Sequence, residues 1–147
     1  MKVTGDDYID GASERIRAAR AMYEEYRLVD AIYLTGVAVE CILRAFASDE
    51  DDEFEGRHDL RRLMKVTTLE RFVGEKQRQA ISAALGDVWA RWKNNYRYVA
   101  DSRLRSEIKR LQLDRGIKGD ALKENARVAL ENAYTLVNKG TFQWKKK

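Results

Sequence analysis

Three groups of residues in this 147-residue chain have types and spacings that chemistry can use. The first is Glu40, set in the apolar run Ala31-Ile-Tyr-Leu-Thr-Gly-Val-Ala-Val-Glu-Cys-Ile-Leu-Arg-Ala-Phe46, with Arg44 one helical turn on. An isolated buried carboxylate is costly enough that it neutralises or finds a cation, so Glu40 marks either a plain i,i+4 pair with Arg44 or a covered polar site. The second is the tract from Trp89 to Lys118, with nine bases against three acids, interleaved with Trp89, Trp92, Tyr96 and Tyr98. Such a stretch can follow a phosphate backbone and stack bases. The plain alternative is a set of solvated outer faces that pair with acids elsewhere in the chain. The third is His58, the lone imidazole, in His-Asp-Leu-Arg-Arg-Leu. It has the chemistry of a general base, but its segment also suits a helix-start residue that bonds locally while Leu60 and Leu63 enter the core. With Cys41 the lone thiol and one His, a zinc site has too few soft ligands. No metal and no cofactor is expected.

These residues must be positioned by a fold, and the length suits one core. Hydrophobic residues make up 44% of the chain, enough to fold, and charged residues 35%, too many for a membrane protein. The run around Glu40 is too short and too charged to span a bilayer. The N-terminus, Met-Lys-Val-Thr-Gly-Asp-Asp-Tyr, lacks the basic patch and apolar run of a secretory signal, so a cytoplasmic location is expected. The net charge of +4 hides an asymmetry: residues 1–56 hold 14 acids and 6 bases, net −8, and residues 57–147 hold 10 acids and 22 bases, net +12. Much of the negative charge sits in Asp49-Glu-Asp-Asp-Glu-Phe-Glu55.

There is no proline and little β-branched alternation, so the expected class is all-α, an up-and-down bundle of four to five long helices with short extra ones. A first helix is expected over 6–27, with Ile9, Ala12, Ile16, Ala19, Tyr23 and Tyr26 in one stripe. A second runs over 28–47. After the acidic tract come a short helix over 58–65 and a capping box at Thr67-Thr-Leu-Glu70. A third long helix, over 75–94, carries Ile81, Leu85, Val88, Trp89 and Trp92, and a basic helix over 102–113 carries Leu104, Ile108 and Leu111. Asp120 caps the last helix, whose stripe is Leu122, Ala126, Ala129, Leu130, Ala133, Leu136 and Val137, with Gly140 just past its end. The domain is expected to end at residue 140, followed by a loose basic tail over 141–147.

At about 100° per residue, Leu28, Ala31, Thr35, Ala38, Val39, Ile42 and Phe46 form the core face of the second helix. Glu40 shares the other side with Val29, Tyr33, Gly36, Val37, Arg44 and Ala47. A surface helix would have a polar back, whereas this one is small and apolar, as for a helix enclosed by the bundle or covered by a second subunit. Gly36 allows a close approach there.

The order of Ala18-Ala-Arg-Ala-Met-Tyr23, then Tyr33-Leu-Thr-Gly-Val-Ala-Val-Glu-Cys-Ile-Leu-Arg-Ala-Phe46, then Gly56-Arg-His-Asp-Leu-Arg-Arg-Leu63 resembles the HEPN domain superfamily in its prokaryotic form. The resemblance covers residues 12–100 well and the last helix loosely. It implies a helical bundle that often dimerises, with a polar groove facing RNA or nucleotide. Many members are metal-independent RNases with an Arg-x4-6-His motif, the Arg holding the scissile phosphate and the His acting on the ribose hydroxyl. The family's Arg falls best on Arg97, but the places for the His hold Ser102, Arg103 and Leu104. Metal-free cleavage needs a group with a pKa near about 7, which neither Ser nor Arg supplies unaided. The leading expectation is therefore a non-catalytic HEPN-like module that binds RNA, a nucleotide or a protein partner. Glu40, Arg44, Arg97, Tyr98 and Arg103 would line the groove, with Asp101 nearby and Arg97 beside Glu40. The context implied is a toxin–antitoxin or phage-defence system, with a homodimer and a partner such as a cognate nucleotidyltransferase. Two alternatives stand beside it. One is an RNase with a divergent site built from Arg97 and either His58 or Asp101; the other is a structural helical adaptor whose charged segments set oligomer contacts.

Overall fold

Thr4 opens the first helix by a reciprocal cap: its hydroxyl accepts from the Asp7 amide at 3.2 Å, and the Asp7 carboxylate accepts from the Thr4 amide at 2.8 Å. In the computed structural model, which describes residues 1–48, 60, 62 and 74–146, this helix is α1, Gly5–Glu24. It ends before Tyr26, whose φ of 62° turns the chain into α2, Leu28–Ser48. Next come α3, Glu75–Arg91, a 3₁₀ helix at Asn94–Tyr98, α4, Asp101–Arg110, and α5, Ala121–Lys145. The described residues form five α-helices packed together and contain no strand, so the protein is all-α. No described helix is long and apolar enough to cross a membrane. The expected short helix at 58–65 and the capping box at Thr67 lie outside the described residues, except that Leu60 and Arg62 are helical and Leu60 is buried.

The central element is α2, which packs against both α1 and α5. All seven residues of its expected core face are buried, and so are Leu43, Ala45 and Ala47 on its flanks. That near-complete enclosure is what its lack of a polar back requires. In α1, Ile9, Ala12, Ile16 and Ala19 face this core, while Tyr26 leaves the stripe in the turn. The α3 helix lies on α5 through Ile81, Ala84, Leu85 and Val88.

Asp120 caps α5 as expected, its carboxylate accepting from the Lys123 amide at 3.0 Å. Gly140, however, does not end that helix. A Cβ there would lie 2.7 Å from Ile42 Cγ2, so this glycine lets α5 cross α2 closely and the helix continues to Lys145. Residues 141–145 are therefore an anchored helical turn and not a loose tail. Trp144 makes an edge-to-face contact with Phe46, centroids 5.3 Å apart, and its indole N–H donates to Asp6 at 2.7 Å.

Candidate nucleic-acid interface

The site begins where α3 stops. Arg91, its last residue, donates from Nε to Asn125 Oδ1 at 2.9 Å and from Nη1 to the Asp87 carbonyl at 3.0 Å. Asn125, 1% exposed, also donates to the carbonyls of Leu113 and Ala121 at 3.0 and 2.8 Å. One buried amide thus joins α3, α5 and the loop after α4. Beyond this clamp the backbone extends at Trp92, φ −126° and ψ 136°, which turns the indole onto α2. The ring lies against Gly36, where a Cβ would stand 2.2 Å from three of its atoms, and its N–H donates to the Tyr33 carbonyl at 3.1 Å. Trp92 is the buried anchor of the strap formed by residues 93–99.

Lys93, Asn95, Tyr96 and Val99 of the strap line one cavity of about 370 Å³, bounded on its other side by Arg103, Leu104, Glu107 and Arg110 of α4. Glu107 sits among its cations: Arg110 bonds it through Nε at 3.0 Å and through Nη2, and the Lys93 ammonium is 3.7 Å away. The Arg110 hydrogen bonds hold the Glu107 carboxyl below its ordinary value against the opposing effect of burial, with Arg110, Lys93 and Arg103 adding their charge. Burial, and then Glu107, push the Tyr96 hydroxyl up, so it stays protonated. Arg103 makes no ion pair with any described residue and is the open cation of the cavity.

Tyr98 ends the 3₁₀ helix and does not line the cavity. Its ring is 74% exposed, and the Arg97 guanidinium stacks on it at 4.6 Å from the centroid. The Tyr33 hydroxyl beside Arg97 raises the guanidinium pKa above its ordinary value, with Tyr98 adding to the effect. Arg97 makes no ion pair with Glu40. The expected meeting of those two residues does not occur, because Trp92 occupies the α2 surface at Gly36, while Tyr33 is about 10 Å along the axis from Glu40.

Glu40, 7% exposed, instead accepts from Nε and Nη2 of Arg44 at 3.1 and 3.0 Å. Neither residue lines the cavity. Burial, then the Glu40 carboxylate, raise the pKa of the neighbouring Cys41 thiol, which keeps it protonated and unreactive. Asp101 belongs to another clamp: Arg105 donates to it at 2.5 Å and to Asp120 at 2.8 and 3.3 Å, tying the start of α4 to the cap of α5. His58 lies outside the described residues. Among the described residues no group of three His, Cys, Asp or Glu side chains is placed to hold a metal.

Of the expected binding residues, then, Arg103 lines the cavity, Arg97 and Tyr98 belong to the same strap without lining it, and Glu40 is paired with the partly buried Arg44, neither of which lines it. Sequence reasoning missed Lys93, Glu107 and Arg110 as members. Their signal was present only as charge within the basic tract, without the strap geometry that groups them. It also treated Trp92 and Tyr96 as stacking aromatics, whereas both are buried. No protein-family model, curated protein or solved structure matches the chain.

Proposed function

We propose that this protein is a non-catalytic, HEPN-like module that binds single-stranded RNA at the strap and α4. The observation that carries the reading is the convergence of Lys93, Arg103 and Arg110 on one cavity whose strap also carries the exposed Tyr98. Cations positioned for phosphate next to an aromatic face are the two components of sequence-tolerant single-strand binding. Arg97 covers one face of Tyr98 and leaves the other to a base, giving an Arg–Tyr–base stack. The three cavity cations set the salt dependence. With about 0.7 counterion released per phosphate, three contacts give a slope near −2 in log K against log salt, roughly a twentyfold loss between 50 and 200 mM.

Titration of the protein with single-stranded RNA at those two salt concentrations tests this. Arg103→Ala should flatten the slope by about 0.7, and Tyr98→Ala should weaken binding by about 1–3 kcal/mol at either salt. Absence of binding at 50 mM salt ends the reading. The same RNA, incubated with the protein in EDTA and run on a gel, separates binding from the alternative of metal-independent cleavage. Loss of intact RNA that Arg97→Ala abolishes would replace the binding module with an RNase.

A further inference from the structure

Resting on the RNA-binding reading, we infer that the cavity between the strap and α4 receives a terminal phosphate monoester of the strand, not an internal phosphodiester. Charge balance is the first argument. Three cations, Lys93, Arg103 and Arg110, face one carboxylate, Glu107, and a neutral phenol, Tyr96, which leaves the cavity with two units of positive charge. A diester carries one negative charge, whereas a monoester carries about −1.5 to −2 at pH 7. Only the monoester neutralises the cavity.

Size and shape give the second argument. At about 370 Å³ the cavity is at the small end of ligand pockets, which run from about 300 to 1,000 Å³. The strap and α4 bound it on two sides, and Val99 and Leu104 supply apolar wall. A volume at that lower limit suits one phosphate-bearing chain end better than a run of several nucleotides. The same strap carries the exposed Tyr98, an aromatic face for the base attached through the terminal ribose.

Glu107 has a definite part in this arrangement. By engaging Nε and Nη2 of Arg110 and drawing in Lys93, it fixes two flexible cations in place before any ligand arrives. Arg103, with no such partner, supplies unspent donors to the monoester oxygens.

The test compares three short RNAs of one sequence by fluorescence anisotropy: one ending in a 5′-phosphate, one in a 3′-phosphate, and one in hydroxyls at both ends. A parallel titration follows adenosine 5′-monophosphate against adenosine by NMR. At least one phosphorylated end should bind about tenfold to a hundredfold more tightly than the hydroxyl-ended strand. The end that gains identifies which terminus the cavity reads. Arg103→Ala, an exposed position, should remove the gain, while Lys145→Ala, which lowers the net charge equally without lining the cavity, should keep it. Equal affinity for all three RNAs overturns the inference and leaves the RNA-binding reading intact. Binding of the monophosphate without binding of any RNA supports the cavity's chemistry and overturns the RNA reading. Failure of every probe overturns both, and a phosphate gain that survives Arg103→Ala places the monoester elsewhere.

Discussion

Replacing Gly36 with alanine places a methyl group 2.2 Å from three atoms of the Trp92 indole, where about 3.5–4.0 Å is the ordinary separation. Relief requires roughly 1.3–1.8 Å of movement from a residue that is 2% exposed and hydrogen-bonded to the Tyr33 carbonyl. Complete expulsion of the indole would return about 150–250 Å² to water, or about 4–6 kcal/mol, with about 1 kcal/mol more for the hydrogen bond. A partial shift with overpacking costs about 1–3 kcal/mol. The expected destabilisation lies between these limits, at about 3 kcal/mol, or a fall of about 1.5 M in the urea midpoint. Circular dichroism at the helix band and Trp fluorescence report it together. Gly86→Ala is the control, since among the described residues nothing lies within 4 Å of the added carbon in the interior of α3, and it should stabilise by about 0.5–1 kcal/mol. In a Trp92→Ala background the Gly36→Ala penalty should disappear. A midpoint change under about 0.3 M for Gly36→Ala would show that the indole does not sit there, and the argument that Trp92 anchors the RNA-binding strap would go with it.

Four other outcomes are expected. Asn125→Leu strips Arg91 Nε and the Leu113 carbonyl of their partner and should cost about 2–4 kcal/mol in urea unfolding; a neutral effect would mean the clamp is not formed. Thr35→Val should be neutral or stabilise by about 1 kcal/mol, because the Thr35 hydroxyl is buried without a hydrogen-bond partner among the described residues, and clear destabilisation would reveal one. Trp144→Ala should lower stability by about 2–3 kcal/mol, whereas a loose C-terminal segment would register nothing. The Glu107 carboxyl is held below its ordinary 4.5, so its contribution is complete above that value and is lost as pH falls through the lower folded value. Urea midpoints between pH 6 and 3 should therefore fall further in the wild type than in Glu107→Gln, and parallel curves would contradict the pairing.

Much of the helical layout was legible in the sequence because burial imposes a 3.6-residue period on residue type. All seven core-facing positions of α2 and the α5 stripe follow from that period, and the Asp120 cap follows from the preference for Asp at a helix start. Glycine was harder to read. Gly140 has the type and position of a helix terminator, yet it permits the crossing with Ile42, and only the neighbouring helix distinguishes those two uses. The helix expected over 75–94 ends at Arg91 for a similar reason: Arg91 is clamped by Asn125 from a distant helix, so the chain extends at Trp92, and Trp92 and Tyr96, two of the four tract aromatics, are buried.

By itself, then, the sequence determined the all-α class, the enclosed second helix and the concentration of positive charge after Trp89, since each is a property of residue types summed along one element. Tertiary structure alone decided that Glu40 is answered by Arg44 and not by Arg97, and that Lys93, Arg103, Glu107 and Arg110 share a cavity. Both outcomes depend on where Trp92 comes to rest on Gly36, a contact between residues far apart in the chain, and local periodicity carries no information about such a pairing.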